Sequence, residues 1–132
     1  MKTFFVVIAV AKYKEKILLL KRSGTRHFSP EKWQPVSGFP KEKESAEECA
    51  LRELKEETGL TGEIKNESSV FEYENKFGHW INLAFLIEVH NTNVNLNPKE
   101  HSDFAWILPK DYAEFDCIEG VKFDLELLEL VS

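Results

Sequence analysis

The chain has 132 residues, 42% of them hydrophobic and 30% charged, with a net charge of −6 at pH 7. That composition describes an ordinary globular protein, and the length is that of one domain spanning 1–132. The acidic balance argues against a general binder of nucleic-acid polymers, which needs a basic footprint. No apolar run is long enough to span a membrane. Cys49 and Cys117 are too few for a disulfide framework and are expected as reduced thiols of a cytoplasmic protein.

Met1-Lys2-Thr3 followed by FFVVIAVA has the outline of a secretion signal, but it is shorter than the ~15–30 residues such signals need. Thr3 to Tyr13 reads instead as a buried first strand, rich in Phe, Val and Ile. Lys16 to Arg22 (KILLLKR) is a second strand, paired with the first through the charged turn at Lys14-Glu15. Ser23 to Pro30 is a polar loop carrying Arg26 and His27, and Trp33 to Ser37 is a short extended segment. Ser45 followed three residues later by Glu48 is a capping box, so a helix begins at Ser45 and closes at Gly59. Gly62 to Tyr73 and Phe77 to Val89 read as two long strands joined near Asn75-Lys76, with alternation clearest at Ile81, Leu83, Phe85 and Ile87. Asn91 to Lys99 is a polar loop, Asp103 to Leu108 another strand, and Pro109 to Phe115 a short helix. Glu119 to Val131 closes the chain as an amphipathic helix with Val121, Leu125 and Leu128 inward, joined by Phe123 or Leu127. Strands around a central helix with a terminal helix predict an α/β fold, a mixed sheet covered on both faces.

Within the capped helix, at about 100° per residue, Glu53, Glu56 and Glu57 fall within one third of the circumference. Ala46, Cys49 and Ala50 share that side and are small enough for close approach. Leu51 and Leu54 point about a quarter turn away, toward a core, and Glu48 and Lys55 point to solvent. Like-charge pairs at this spacing cost roughly 0.2–0.5 kcal/mol each when exposed. Glu56 and Glu57 also sit at the unfavourable end of the helix dipole. A hard divalent cation removes the conflict, because it takes carboxylate oxygens as ligands. The alternative is a solvated acidic face with Lys55 and Arg52 as local partners.

Written out, the stretch is Gly38, five residues, Glu44, seven residues, then Arg52-Glu53-Leu54-Lys55-Glu56-Glu57-Thr58-Gly59-Leu60. It resembles the Nudix box at nine specified positions across 23 residues. The resemblance implies an α/β/α sandwich with a mixed β-sheet and hydrolysis of a nucleoside diphosphate linked to another group, using Mg²⁺ or Mn²⁺. It implies Glu53, Glu56 and Glu57 as metal ligands, often joined by the backbone carbonyl of Gly38. Arg52 is implied to orient a box glutamate through a two-pronged ion pair, and Glu44 to support it.

The group that activates water usually lies outside the box. Glu100, on the loop before Trp106, is the expected fourth metal ligand or general base, with Asp103 and His101 as alternatives. Arg22 and Arg26 are expected to contact phosphate, with Lys21 and His27 as weaker candidates. Phe77, Trp80, Phe28 and Trp33 are candidates for stacking on a base, each equally readable as core. Phe39 stands where the family commonly has a second glycine. Lys41 stands where it has a glutamate, which makes Lys41 a further candidate phosphate contact. Trp33 to Gly38 (WQPVSG) is similar to members acting on nucleoside or pterin triphosphates.

The expected function is a (d)NTP pyrophosphohydrolase releasing NMP and pyrophosphate. Another nucleoside diphosphate-X or a pterin triphosphate is the alternative substrate, and a non-catalytic nucleotide-binding module the alternative role. A nucleotide is the expected partner, without nucleic-acid polymer or membrane, and both monomer and homodimer are open.

Overall fold

In the computed structural model, which describes residues 1–132, β1 (Thr3–Tyr13) lies at the centre and runs parallel to β7 (Gly78–Val89) from Thr3 opposite His79 to Lys12 opposite Glu88. Both faces of this pair are covered, so its residues form continuous apolar runs rather than a one-sided alternation. β2 (Lys16–Arg22) pairs antiparallel along one edge with β1 and, further on, with the short β3 (Trp33–Gln34), and along its other edge with β8 (His101–Ile107). β4 (Val36–Gly38) pairs with β1, while β5 (Gly62–Glu67) and β6 (Phe71–Asn75) pair antiparallel with β7.

Successive residues of the central strands point to opposite faces. Val7, Ala9, Ala11, Leu18, Leu20, Phe85 and Ile87 meet the helix α1 (Ala46–Thr58) through its Cys49, Ala50 and Leu54. Val6, Ile8, Val10, Ile17, Leu19 and Ala84 meet the terminal helix α2 (Val121–Leu127) through Val121, Leu125 and Leu128. The result is an α/β/α sandwich. Leu54 is fully buried, and truncating such a side chain to alanine typically costs about 2–5 kcal/mol.

The sequence places α1 correctly because its ends are chemically marked. Ser45 Oγ accepts the Glu48 N–H at 3.0 Å, Glu48 Oε1 accepts the Ser45 N–H at 2.9 Å, and Gly59 takes φ 79° at the C-terminal end. Its packing differs in one respect: Leu54 anchors the helix, whereas Leu51 stays 38% exposed because α1 rolls toward its small residues Cys49 and Ala50.

Other expectations shift for physical reasons. The long strand expected over Gly62 to Tyr73 is two strands. A register shift falls between Ile64 and Asn66, and at Ser68 the side-chain hydroxyl accepts the Ala84 N–H (2.9 Å) in place of a backbone carbonyl. The fourth long segment becomes a strand at Gly78 rather than Phe77, and β8 starts at His101, ahead of Asp103. Pro109–Glu114 forms a 3₁₀ helix. The terminal helix is shorter than its apolar pattern, beginning after Gly120 (φ 95°) and ending before Glu129 (φ 61°). Phe123 points outward, half-exposed against Phe71 at a ring separation of 5.7 Å. No helix is long and apolar enough to cross a membrane.

Candidate active site

β4 leads directly into the loop that starts α1, and this brings Gly38 against the side chain of Glu53. A Cβ built on Gly38 would lie 2.3 Å from Glu53 Cδ, so only glycine leaves room for the carboxylate there. The loop is closed by Glu44, whose Oε1 accepts the Lys41 N–H at 3.0 Å.

Arg52 organises the first part of the carboxylate face. Its Nε and Nη2 reach the two oxygens of Glu44 at 2.6 and 2.9 Å, and Nη1 reaches Glu53 at 2.7 Å and Glu56 at 3.1 Å. The two-pronged contact therefore falls on Glu44, and Glu53 and Glu56 receive single contacts. The hydrogen bonds from Arg52 and from the Lys41 backbone hold the Glu44 carboxyl down at about 2, and Glu44 in turn raises the guanidinium. Glu56 sits on the outer rim, half-exposed.

Glu57 is different. It is 4% exposed, its Oε2 is buried with no hydrogen-bond partner, and no lysine or arginine forms a salt bridge with it. Burial, then contact with Glu53 and the charge of Glu100, pushes its carboxyl up to about 10. Its neighbour is His101, 1% exposed, with Nε2 at 3.8 Å from Glu57 Oε1. His101 is not the solvated loop residue its sequence position suggests. Burial, with Arg26 and Arg22 nearby, lowers its imidazole to about 4 and keeps it neutral. Ligand atoms of Glu57, Glu100 and His101 all lie within 4.8 Å of one another, a grouping that could hold a metal ion.

Arg22 and Arg26 form the opposing wall. Arg22 is not a solvated strand end: it is 6% exposed, and its Nε donates to the Phe28 carbonyl at 2.8 Å. Burial, then the charge of Arg26, lowers it to about 10, still charged at neutral pH. Arg26 donates to the Glu100 carbonyl at 3.3 Å, and that carbonyl also accepts the Ser23 N–H at 2.9 Å, which fixes the Glu100 backbone.

These walls enclose a cleft of about 320 Å³ lined by Glu53, Glu57, Glu100, Arg22, Arg26 and Lys41, with Gly38 and Arg52 at its edge. Trp80 also lines it, stacked on Phe4 at 4.4 Å and donating from Nε1 to Asn75 at 2.8 Å. Phe28 lines the cleft as well. Phe77 does not; it packs edge-on behind Phe28 at 4.9 Å. Trp33 stacks edge-on with Phe115, in the core beneath α2. Asp103 is exposed, and its carboxylate accepts the N–H of Phe104 at 2.8 Å.

Tyr73, Gln34 and Asn82 also line the cleft, and sequence reasoning did not single them out. Asn82 is 3% exposed with an unpaired Oδ1, and beside it Asp124 is 2% exposed with its carboxyl pushed well above the usual range by burial. A signal for both existed. Asn82 interrupts the apolar run of β7, and Asp124 occupies an inward position between Val121 and Leu125 on α2.

An α/β/α sandwich carrying this box on a capped helix, with its carboxylates turned into a cleft, defines the Nudix class. The chain belongs to the Nudix hydrolase family: the NUDIX domain model matches residues 2–130. The NAD-capped RNA hydrolase NudC of Chromobacterium violaceum is 30% identical over 110 residues, covering 83% of this chain and 38% of that protein. The mRNA-decapping protein g5R of African swine fever virus is 37% identical over 97 residues, 67% of this chain and 39% of that protein. The chain thus spans about two fifths of the length of these curated relatives. Among solved structures, a MutT NUDIX hydrolase from Burkholderia pseudomallei superposes with a TM-score of 0.80 at 20% identity, covering 97% of this chain and 99% of that one. The NUDIX domain of Shewanella oneidensis NrtR, complexed with ADP ribose, superposes at 0.79 with 20% identity over 98% of this chain and 86% of that one. These two likenesses concern the fold.

Proposed function

We propose that the chain, as one domain over 1–132, hydrolyses a phosphoanhydride bond of a nucleotide with a divalent cation, Mg²⁺ or alternatively Mn²⁺. Glu57 carries this reading: a buried carboxylate without a cationic partner, where the acidic wall faces Arg22 and Arg26. Glu53, Glu57 and Glu100 would hold the cation, with the Gly38 backbone beside Glu53 and Glu56 joining from the rim. A bound cation would neutralise phosphate oxygens and favour attack by water. Arg22, Arg26 and Lys41 meet the phosphates from the other side, and Arg52 positions Glu53 and Glu56. Glu100 would take a proton from water, a reading supported by its position in the cleft wall, whereas Asp103 faces solvent. Trp80, with Tyr73 and Asn82, lines the part of the cleft suited to the base.

A (d)NTP, cleaved to NMP and pyrophosphate, is the substrate this reading favours. The cleft lies at the small end of the roughly 300–1,000 Å³ range of small-molecule sites, and besides Arg52, which is bound to carboxylates, Arg22, Arg26 and Lys41 line it for a triphosphate. A nucleoside diphosphate-X is the second reading. It is favoured by the relatives named as an NAD-capped RNA hydrolase and an mRNA-decapping protein. The test is a panel of (d)NTPs, NAD, ADP-ribose and a cap dinucleotide, with Mg²⁺ or Mn²⁺, read as released pyrophosphate, phosphate and NMP. Pyrophosphate from a (d)NTP is expected. Turnover of the dinucleotides alone moves the assignment to the second reading. Binding of nucleotides without turnover under both metals replaces hydrolysis with a binding role.

A further inference from the structure

We propose that His101 is a nitrogen ligand, and that Glu57, Glu100 and His101 form a mixed carboxylate–imidazole site for a first-row transition-metal dication. The inference rests on reading the cleft as a cation site and adds a ligand from outside the carboxylate helix face. Both ring nitrogens of His101 are buried without a hydrogen-bond partner, and so is Oε2 of Glu57. Buried polar groups in folded proteins are almost always paired, so Glu57 and the His101 nitrogen that faces it call for a shared partner.

Direct pairing does not supply it. The separation of 3.8 Å between His101 Nε2 and Glu57 Oε1 is too long for a hydrogen bond. It does suit two donors on one ion: ligands each about 2.0–2.2 Å from a metal stand roughly 3–4 Å apart. The nearby guanidiniums are engaged with main-chain carbonyls, Arg22 with Phe28 and Arg26 with Glu100, rather than with these carboxylates.

The backbone places the imidazole deliberately. Lys21 is opposite Asp103 and Arg22 opposite His101, so Ser102 is an extra residue and the strand bulges beside the cleft. Such bulges re-aim a side chain. The N–H groups of Glu100 and His101 both donate to the Asn97 carbonyl at 3.0 Å, which holds the two donors in fixed relation.

An imidazole changes what the site prefers. Carboxylate and water ligands suit Mg²⁺, whereas imidazole suits the later first-row dications. Calorimetry with Mg²⁺ and Co²⁺, and electron spin-echo spectroscopy of bound Mn²⁺, test this on the wild-type chain and on His101→Asn. Expected are imidazole ¹⁴N modulation on wild-type Mn²⁺, its loss in the variant, and a fall of about 10–100-fold in Co²⁺ affinity with Mg²⁺ affinity nearly unchanged. If the variant does not fold, judged by circular dichroism, the wild-type nitrogen signal alone decides. Bound Mn²⁺ without that modulation, or an unchanged Co²⁺ affinity in a folded variant, overturns the nitrogen ligand while leaving the carboxylate site standing. Failure of the wild-type chain to bind any of the three ions overturns both.

Discussion

Around Arg52 every carboxylate has a cation: Glu44 takes two contacts, and Glu53 and Glu56 one each. Little more than a turn further along the same helix, Glu57 has no salt bridge to lysine or arginine; it sits against Glu53, Glu100 and a neutral imidazole, with Arg22 and Arg26 near but bonded to main-chain carbonyls. The first group is a completed network that orders the loop from Phe39 to Glu44. The second is electrostatically incomplete in the isolated chain. One helix face thus holds both a structural brace and a buried carboxyl without a salt bridge, the arrangement expected of a binding position. On the proposed reading, Arg52 holds Glu53 and Glu56 in place as ligands, and Glu57 is the ligand that no salt bridge satisfies before the external cation arrives.

The comparison breaks most visibly if the lone carboxylate proves dispensable. Chelation by EDTA should reduce turnover of a verified substrate to background, and Glu57→Gln should come close to the same level in steady-state assays. A Glu57→Gln enzyme with wild-type turnover would falsify the assignment of the incomplete end as the metal end.

Next in size is the contrast between two acids near the start of β8. Glu100→Gln should lower kcat by about 10²–10⁴-fold and raise KM where the cation is limiting, since Glu100 lines the cleft and is proposed both to hold the cation and to take the proton. Asp103→Asn, facing solvent, should leave both near wild type. A reversal of this order would move the proton-accepting role to Asp103.

Disturbing the brace should cost less than removing the lone acid. Arg52→Lys keeps the charge but loses the two-pronged contact to Glu44, and metal affinity measured by calorimetry should fall about 10–100-fold. Gly38→Ala should act through the same ligands, because the added Cβ displaces Glu53. An unchanged metal isotherm in both variants would make the brace irrelevant to the site.

The smallest expected effect is on the stability of the metal-free chain. Burial and acidic neighbours raise the Glu57 carboxyl to about 10, from roughly 4.3 when unfolded. The native state therefore favours the protonated form. Its contribution to stability is complete below the unfolded value and is lost progressively as pH rises toward about 10. Glutamine mimics the protonated form, so Glu57→Gln should melt higher than the parent in EDTA, by an amount that grows from pH 5 to pH 9. A gap of constant size, or a lower melting temperature in the variant, would count against a buried carboxyl that keeps its proton in the native state.

The capped helix was legible in the sequence because its information is local: Ser45, Glu48 and Gly59 specify both ends through neighbours in the chain. The apolar runs of β1 and β2 were legible for a similar reason, and the Nudix box is one continuous stretch. The division of labour among its glutamates was not. Helical spacing places Glu53, Glu56 and Glu57 on one side, but Glu57 is buried where the side chain of His101 reaches it, and Glu56 stays exposed at the rim. Arg22 is expected at the phosphates and His101 as an alternative near the water, but the burial of both, beside a register shift in the β2–β8 pairing, is not. The sequence by itself determined which residue types meet and the helix that carries them. Only the tertiary structure decided which carboxylate is left without a partner, because desolvation depends on neighbours far apart in the chain.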